Sequence, residues 1–436
     1  MTKTVHYALI CVIAIICNNA CQRNIDSQED IKNISSKNVI PINIDKTLYT
    51  DKYSNLFSEI KYVSLEETTN SIIGEVSKLE ITKDGEFIVF DALARAVFRF
   101  TANGKFLNNI GFRGSGEKEY ILPIDMKYDP FTNRVLVWDN GKRSILTYKL
   151  NGEMEKRIQL PWIIGTFGVI DQDYLICYMN NSEDIRGGEK GYNYKVIKRD
   201  GTIEKEFGEY GVEKANFRPN AVHTFNFQLG KCLCNPPFSP TLYDVKGDSL
   251  NAVVTFDLLE NTIPPEWLCG HYADFCEKII EYPNFTKINS VYETTRYYIL
   301  NLLKNGTSLL CFINKDNKEI KSMSSILIND LFGMVEHNHL TYAQNNKLYF
   351  AIDPMMFGHK WALIKRTAEY SNLKKAYLKE EESICSYLDK IFGENSATIY
   401  IDSLKTTNFK LIPGERELIE EMSNKNNPII QICTLK

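Results

Sequence analysis

Phe87-Ile88-Val89-Phe90-Asp91-Ala92-Leu93-Ala94-Arg95-Ala96-Val97-Phe98-Arg99-Phe100-Thr101-Ala102-Asn103-Gly104 is the stretch on which the fold turns. It reads as an apolar strand from Phe87 to Asp91, a short link, and an alternating strand from Ala96 to Phe100. An Asn-Gly hairpin then leads into a third strand, Lys105 to Ile110. The unit recurs within Asp125 to Leu160, where Arg134 to Asp139 ends in Val-Trp-Asp as Ile88 to Asp91 ends in Val-Phe-Asp, and Asn151-Gly152 stands for Asn103-Gly104. A strand meander repeated at about 40–45 residues signals a propeller, in which each small sheet buries its faces against its neighbours.

Further copies follow along the chain. The third runs from Gly168 to Phe207, with Tyr174 to Tyr178, Tyr194 to Lys198 and the turn Asp200-Gly201. The fourth runs from Ala221 to Leu258, with Lys231 to Cys234, Thr241 to Val245 and Lys246-Gly247. The fifth, near Glu293 to Leu327, holds Tyr297 to Leu303, the turn Asn305-Gly306 and Ser308 to Asn314. The sixth is split: His339 to Gln344 and Lys347 to Asp353 come before an interruption, and Pro428 to Leu435 returns as a terminal strand. Glu59 to Leu65 alternates correctly to supply its last strand, so both ends of the chain would close the ring and remove the open edge.

The expected fold is therefore all-β, a six-bladed β-propeller of four-stranded antiparallel blades, with helical insertions and closure by N- and C-terminal strands. Because the last two copies are faint, seven blades with one degenerate unit also fit. The expected organisation is a signal segment at 1–21, a tether at 22–55 and the propeller at 56–436, with insertions at about 262–290 and 362–426. Within the insertions Pro264 to Tyr282, Ala368 to Phe392 and Glu415 to Met422 have helical spacing, read as decoration on a blade rim.

The 436 residues are 44% hydrophobic and 24% charged, with a net charge of −4 and no basic stripe, which excludes disorder and argues against a nucleic-acid partner. At the start, Lys3 and His6 form a basic head and Ala8 to Cys17 is apolar but short for a span. Asn18-Asn19-Ala20-Cys21 then resembles a bacterial lipobox, with Asn18 where the pattern prefers Leu; the resemblance implies lipidation of Cys21 and attachment to a membrane by the lipid. An ordinary signal peptide or an uncleaved anchor is the alternative. Beyond Cys21, eight cysteines (177, 232, 234, 269, 276, 311, 385 and 433) permit disulfides without specifying any, and their spacing does not suit zinc.

Gly111-Phe112-Arg113-Gly114-Ser115-Gly116-Glu117-Lys118-Glu119-Tyr120 resembles the loop signature Gly-x-x-Gly-x-Gly-x-Gly-Glu-Tyr of the six-bladed β-propeller lipoproteins of Bacteroidetes, themselves distantly similar to NHL-repeat and TolB-like propellers. Lys118 replaces the last glycine. Ile60 to Glu66 and Asn427 to Lys436 also resemble that family's opening and closing strands. The resemblance implies the fold and an outer-membrane lipoprotein, periplasmic or surface-exposed, and little about activity. The same glycines do not make a nucleotide site, because Pro123 and a new strand follow where a helix N-terminus is needed.

For chemistry the sharpest candidates are His223, expected on the inner strand of the fourth repeat, and His337 and His339, two apart on one strand face. Meeting at the channel mouth near Glu336, they would suit a hydrolase or lyase resembling NHL-like lyases. No nucleophile elbow is present, and Asp171-Gln172-Asp173 and Lys315-Asp316-Asn317 read as turns rather than calcium loops, so no metal or cofactor is expected. For binding, Arg113, Arg143, Arg186, Arg218 and Trp162 fall in loops beside Gly, Asn or Pro. The leading expectation is a non-enzymatic envelope lipoprotein whose propeller face binds a glycan, a peptide or an envelope protein such as a component of an uptake complex.

Overall fold

The computed structural model describes residues 31–32, 38–44, 52–183, 190–282, 285–304, 307–324, 326–330, 334–337, 339–366, 375, 379, 398, 402, 405 and 414–436. Six four-stranded antiparallel sheets form the blades of a six-bladed propeller. From the axis outward, blade 1 is Lys78–Ile81, Phe87–Asp91, Ala96–Phe100 and Phe106–Asn109, and blade 2 is Pro123–Asp129, Arg134–Asp139, Ser144–Lys149 and Met154–Gln159. Blade 3 is Thr166–Val169, Tyr174–Tyr178, Gly191–Lys198 and Ile203–Tyr210, and blade 4 is Phe225–Gln228, Lys231–Cys234, Thr241–Lys246 and Ser249–Asp257. Blade 5 is Thr286–Glu293, Tyr297–Lys304, Thr307–Asn314 and Ile320–Ser324. Blade 6 is His339–Gln344, Lys347–Ile352, Ile429–Leu435 and Phe57–Ser64.

The repeated sequence signals have structural jobs. The aspartate closing the second strand is fully buried in blades 1 and 2 and ties its turn to the incoming crossover. Asp91 accepts from Gly74 N at 2.7 Å and Ala94 N at 2.9 Å, and Asp139 from Ile121 N at 2.9 Å, Leu122 N at 2.8 Å and Gly141 N at 3.0 Å. The hairpin glycines stitch blade to blade. Gly104 (φ +82°) lies against the Ser64 carbonyl of blade 6 and Gly152 (φ +86°) against the Asn109 carbonyl of blade 1, where any Cβ would collide. Between the sheets, interlocked aromatic and aliphatic side chains fill the wedges: Trp138, Phe167 and Leu175 lie in one core cluster, Phe90, Tyr120 and Tyr148 in another.

Closure is by a clasp. Ile429–Leu435 lies between Lys347–Ile352 and Phe57–Ser64, with Ile430 opposite Ala351 on one side and Val63 on the other. A buried polar chain pins it: Tyr53 Oη donates to Gln431 Oε1 at 3.3 Å, and the Tyr62 hydroxyl accepts from Gln431 Nε2 at 3.1 Å and Asn329 Nδ2 at 3.0 Å.

Three features were not anticipated. A two-stranded ribbon, Ile326–Asn329 with Met334–His337, comes between blades 5 and 6. The interruption of blade 6 begins with a helix, Pro354–Arg366, started by Asp353, whose carboxylate accepts Met355 N at 2.8 Å. It packs on a second helix, Glu415–Ser423, through the buried ion pair Lys360–Glu415 at 2.9 Å. Third, within the stretch read as a tether, Ile31–Lys32 and Val39–Pro41 run parallel to Ser249–Asp257 along the outer edge of blade 4, and Ile40, Ile42 and Ile44 are buried there. Of the expected helices, Pro264 to Tyr282 becomes a 3-10 turn at Pro265–Trp267 and a helix at Tyr272–Glu281, whereas Ala368 to Phe392 lies, but for single positions, outside the described residues.

Candidate functional site

Alternation of strand direction gives the ring two unlike faces. Turns between the first and second strands and between the third and fourth lie on a lower face and are short. Crossovers between blades, and links between second and third strands, lie on the upper face and carry both helical insertions. The upper mouth is where every innermost strand begins.

Side chains of those strands close the channel. Lys78 and Glu80 of blade 1 and Asp125 and Lys127 of blade 2 are all buried. Lys78 Nζ is ion-paired with Asp125 and reaches Val222 O, across the axis beside blade 4, at 3.4 Å. Asp125 also accepts from Thr166 Oγ1 of blade 3 at 2.6 Å, and Lys127 Nζ donates to Phe225 O of blade 4. On the other side Gln228 bonds Ala343 O at 2.9 Å and Glu293 N at 2.5 Å. Burial pushes Glu80 above the usual carboxylate range, ahead of the opposing pull of Lys127 and Lys78. For Asp125 burial acts the same way, but Lys78, Lys127 and the hydrogen bonds outweigh it and hold its carboxyl low. Lys127 is lowered to about 8, by burial first and then by Lys78. Two ammoniums and two carboxyls thus form a plug rather than a conduit.

Above the plug, between blades 4 and 5, lies a cavity of about 110 Å³ lined by His223, Thr224, Asn235, Lys287 and Asn289, with Asn220, Ala221 and Pro237 completing its wall. His223, half-buried, has its pKa lowered to about 4, chiefly by burial and then by Lys78 and Lys127. An unfolded histidine titrates near 6.5, so the unfolded chain binds the extra proton first as pH falls. The stability that follows is fully present above about pH 6.5 and is lost toward pH 4, a change of up to about 3 kcal/mol. Melting curves from pH 7 to 4 should show this loss, and His223→Gln should remove part of it; a ring titrating near 6.5 by NMR would contradict the burial.

The expected site residues distribute as follows. His223 lies in the turn before the inner strand of blade 4 rather than on it. His337 ends the ribbon opposite Ile326, and His339 opens the inner strand of blade 6 opposite Ala351, so the two belong to different sheets rather than one strand face. His223 and the start of the strand at His339 lie at the same mouth, on blades separated by blade 5. Among the described residues, no three His, Cys, Asp or Glu side chains converge in a way that would hold a metal ion. Arg113, Arg143 and Arg218 are exposed on the upper face, and Trp162, half-buried there, has Lys195 Nζ 5.5 Å from its ring centroid. Arg186 lies outside the described residues. The seven described cysteines are free thiols, five of them buried. Sequence reasoning missed Lys78, Glu80, Asp125, Lys127 and Lys287; the usable signal was the alternation Lys-Leu-Glu-Ile at 78–81 and Asp-Met-Lys-Tyr at 125–128.

A larger concavity of about 750 Å³ lies on the rim, between Lys61 to Glu67, the Asn103-Gly104 hairpin and the helix Glu415–Ser423. Several of its polar groups are already engaged: Asn427 Nδ2 donates to Ser71 O at 2.6 Å and Asn426 Nδ2 to Glu67 at 2.7 Å.

The sequence profile of a domain of unknown function, DUF4934, matches residues 37–384. The fold is similar to a crystal structure from Bacteroides fragilis of a protein described as exported, at TM-score 0.63 and 14% identity, covering 91% of this chain and 99% of that one. A DUF4221-family structure from Bacteroides vulgatus is similar at TM-score 0.48 and 10% identity, over 68% of this chain and 92% of that one. No curated protein matches.

Proposed function

The chain belongs to the DUF4934 family, a β-propeller family of Bacteroidetes whose function is unknown, and from that premise we propose that it is an exported envelope lipoprotein, held by Cys21, that binds a ligand at its upper mouth. The observation that carries the reading is the polarity of the N-terminal segment. Ile31 pairs with Leu250 and Pro41 with Asp257, so the chain climbs the edge of blade 4 from the lower face to the upper. A lipid on Cys21 therefore approaches from the lower face. The ten residues from Cys21 to Ile31 span at most about 35 Å. The nine-residue outer strand of blade 4 is itself about 30 Å long. Only a nearly straight leader running back up the blade would bring the upper mouth to the bilayer, so the mouth faces away from it, with its insertions, exposed arginines and cavity open to ligands. A fold neighbour described as exported is in keeping with this reading.

The test uses the full chain expressed in a Bacteroides host. Cys21→Ser should move the protein out of the membrane fraction; retention of that variant there would remove the lipid anchor. With Cys269, Cys276 and Cys385 replaced by serine, dyes on Asp316→Cys (lower face) and Lys118→Cys (upper face) should differ, the first transferring energy more strongly to a lipid-borne acceptor. The opposite order in an anchored protein would overturn the orientation while leaving the anchor in place.

A further inference from the structure

We propose that the cavity beside His223 receives the carboxylate of an acidic sugar, a uronate, as the charged end of the ligand bound at the upper mouth. The proposal rests on the ligand-binding reading above and names its chemistry.

Among the described residues, Lys287 lines the cavity as its one cationic side chain besides the His223 ring. Lys78, Lys195, Lys315 and Lys360 each form an ion pair with a carboxylate, and Lys127 lies beside Asp125 and Glu80 and donates to Phe225 O. Lys287 Nζ instead points over the Phe238 ring, 5.1 Å from its centroid, and makes no ion pair among the described residues. Its pKa is lowered by burial, with only the Cys276 thiol acting in the other direction. A desolvated ammonium without a counter-ion is costly, and an anion entering the cavity supplies the missing charge. No Asp or Glu lines the cavity, so an incoming carboxylate meets no repulsion at its wall.

The rest of the lining is neutral and hydrogen-bonding. The Asn289 side chain makes no hydrogen bond among the described residues, and Asn220 uses its oxygen to accept Val222 N at 3.0 Å, leaving its amide N–H groups to donate. Asn235, by contrast, spends both of its amide protons on Ser239 O and Thr241 O, each at 3.0 Å, and holds the wall in place. One unpaired cation with neutral amides suits a single negative charge flanked by hydroxyls better than a phosphate dianion, which calls for several cations or a nest of backbone N–H groups. Phe238, which packs on Phe217 and Phe275, backs the Lys287 ammonium and is not part of the cavity wall. At about 110 Å³ the cavity is well above the room needed for one water but far below a whole-ligand pocket, so it takes the acid group and the edge of one ring, and the remaining sugar lies in the open mouth.

A bound carboxylate would also be felt by His223, which faces Lys78, Lys127, Asp125 and Lys287, and would raise its titration midpoint from the low value of the free protein.

The experiment titrates the mature chain with glucuronate, its methyl ester and glucose, reading His223 ring resonances. Glucuronate should shift them and raise the midpoint, and the two neutral sugars should not. Lys287→Gln should weaken glucuronate binding by at least about tenfold, the scale of a charge-assisted hydrogen bond, and Lys287→Arg should retain most of it. The melting curve of each variant certifies its fold. Equal response to glucose, an unchanged Lys287→Gln, or no response to glucuronate would overturn the proposal. N-acetylalanine binding as tightly as glucuronate would overturn its sugar component. Neutral glycans bound at the mouth independently of Lys287 would defeat it while leaving the broader ligand-binding reading intact.

Discussion

Asp125→Ala is expected to destabilise the propeller by about 3–5 kcal/mol, the range for breaking a buried ion pair from one side, and to lower its melting temperature by several degrees. The carboxylate neutralises Lys78, holds Thr166 of the next blade, and offsets the charge of Lys127; without it two buried ammoniums face Glu80 alone. Asp125→Leu combined with Lys78→Met should lose clearly less than the single change, because removing both partners leaves no orphan charge. The sign in acid agrees: a carboxylate whose folded pKa is depressed contributes stability above its unfolded value near 3.9, and that contribution disappears as pH falls through the folded value. An unchanged melting temperature in Asp125→Ala would mean that water, rather than the protein, solvates the axis.

Ile430→Asp should be more damaging still. Ile430 is fully buried in the middle of the clasp and packs with Val63, Leu65 and Tyr349. Removing its side chain alone costs about 2–5 kcal/mol, and placing an unpaired carboxylate in the same space adds to that. Because this strand is the sheet partner of Phe57–Ser64, the expected result is an open ring that aggregates or is cleaved near its N-terminal side. Ile203→Asp, on the outer strand of blade 3 where Ile203 is 41% exposed, is the control and should stay within about 0.5 kcal/mol. Comparable melting of the two variants would show that the clasp is not what closes the ring.

The parts of the fold that were legible were those written by local rules. An aspartate after an apolar run and Asn-Gly before the outer strand mark the same two positions in blades 1 and 2, since buried turn caps and close interblade carbonyls demand those residues. Period-two alternation at both ends of the chain was enough to find the clasp. The innermost strands were harder. Lys78–Ile81 has four residues, and its charges point to the axis, so a search for apolar runs passes over it. The ribbon at 326–337 and the parallel edge strands at 31–41 are additions to the repeat and carry none of its punctuation. The cavity was not legible, because His223, Asn235 and Lys287 come from three separated stretches and converge only when blades 4 and 5 stand side by side. Arg113, Arg143, Arg218 and Trp162, picked out by loop position and neighbouring Gly, Asn or Pro, lie together on the upper face.

The clasp also sets an order of events in time. Phe57–Ser64 is among the first propeller segments to leave the ribosome, and its sheet partner, Ile429–Leu435, is the last. Five blades can assemble from contiguous sequence, whereas the sixth joins segments from opposite ends of the propeller, and Phe57–Ser64 has no sheet partner until Ile429–Leu435 docks. Closure is therefore the last step of assembly, and a chain lacking Ile429–Leu435 keeps an open edge that marks it for aggregation or proteolysis.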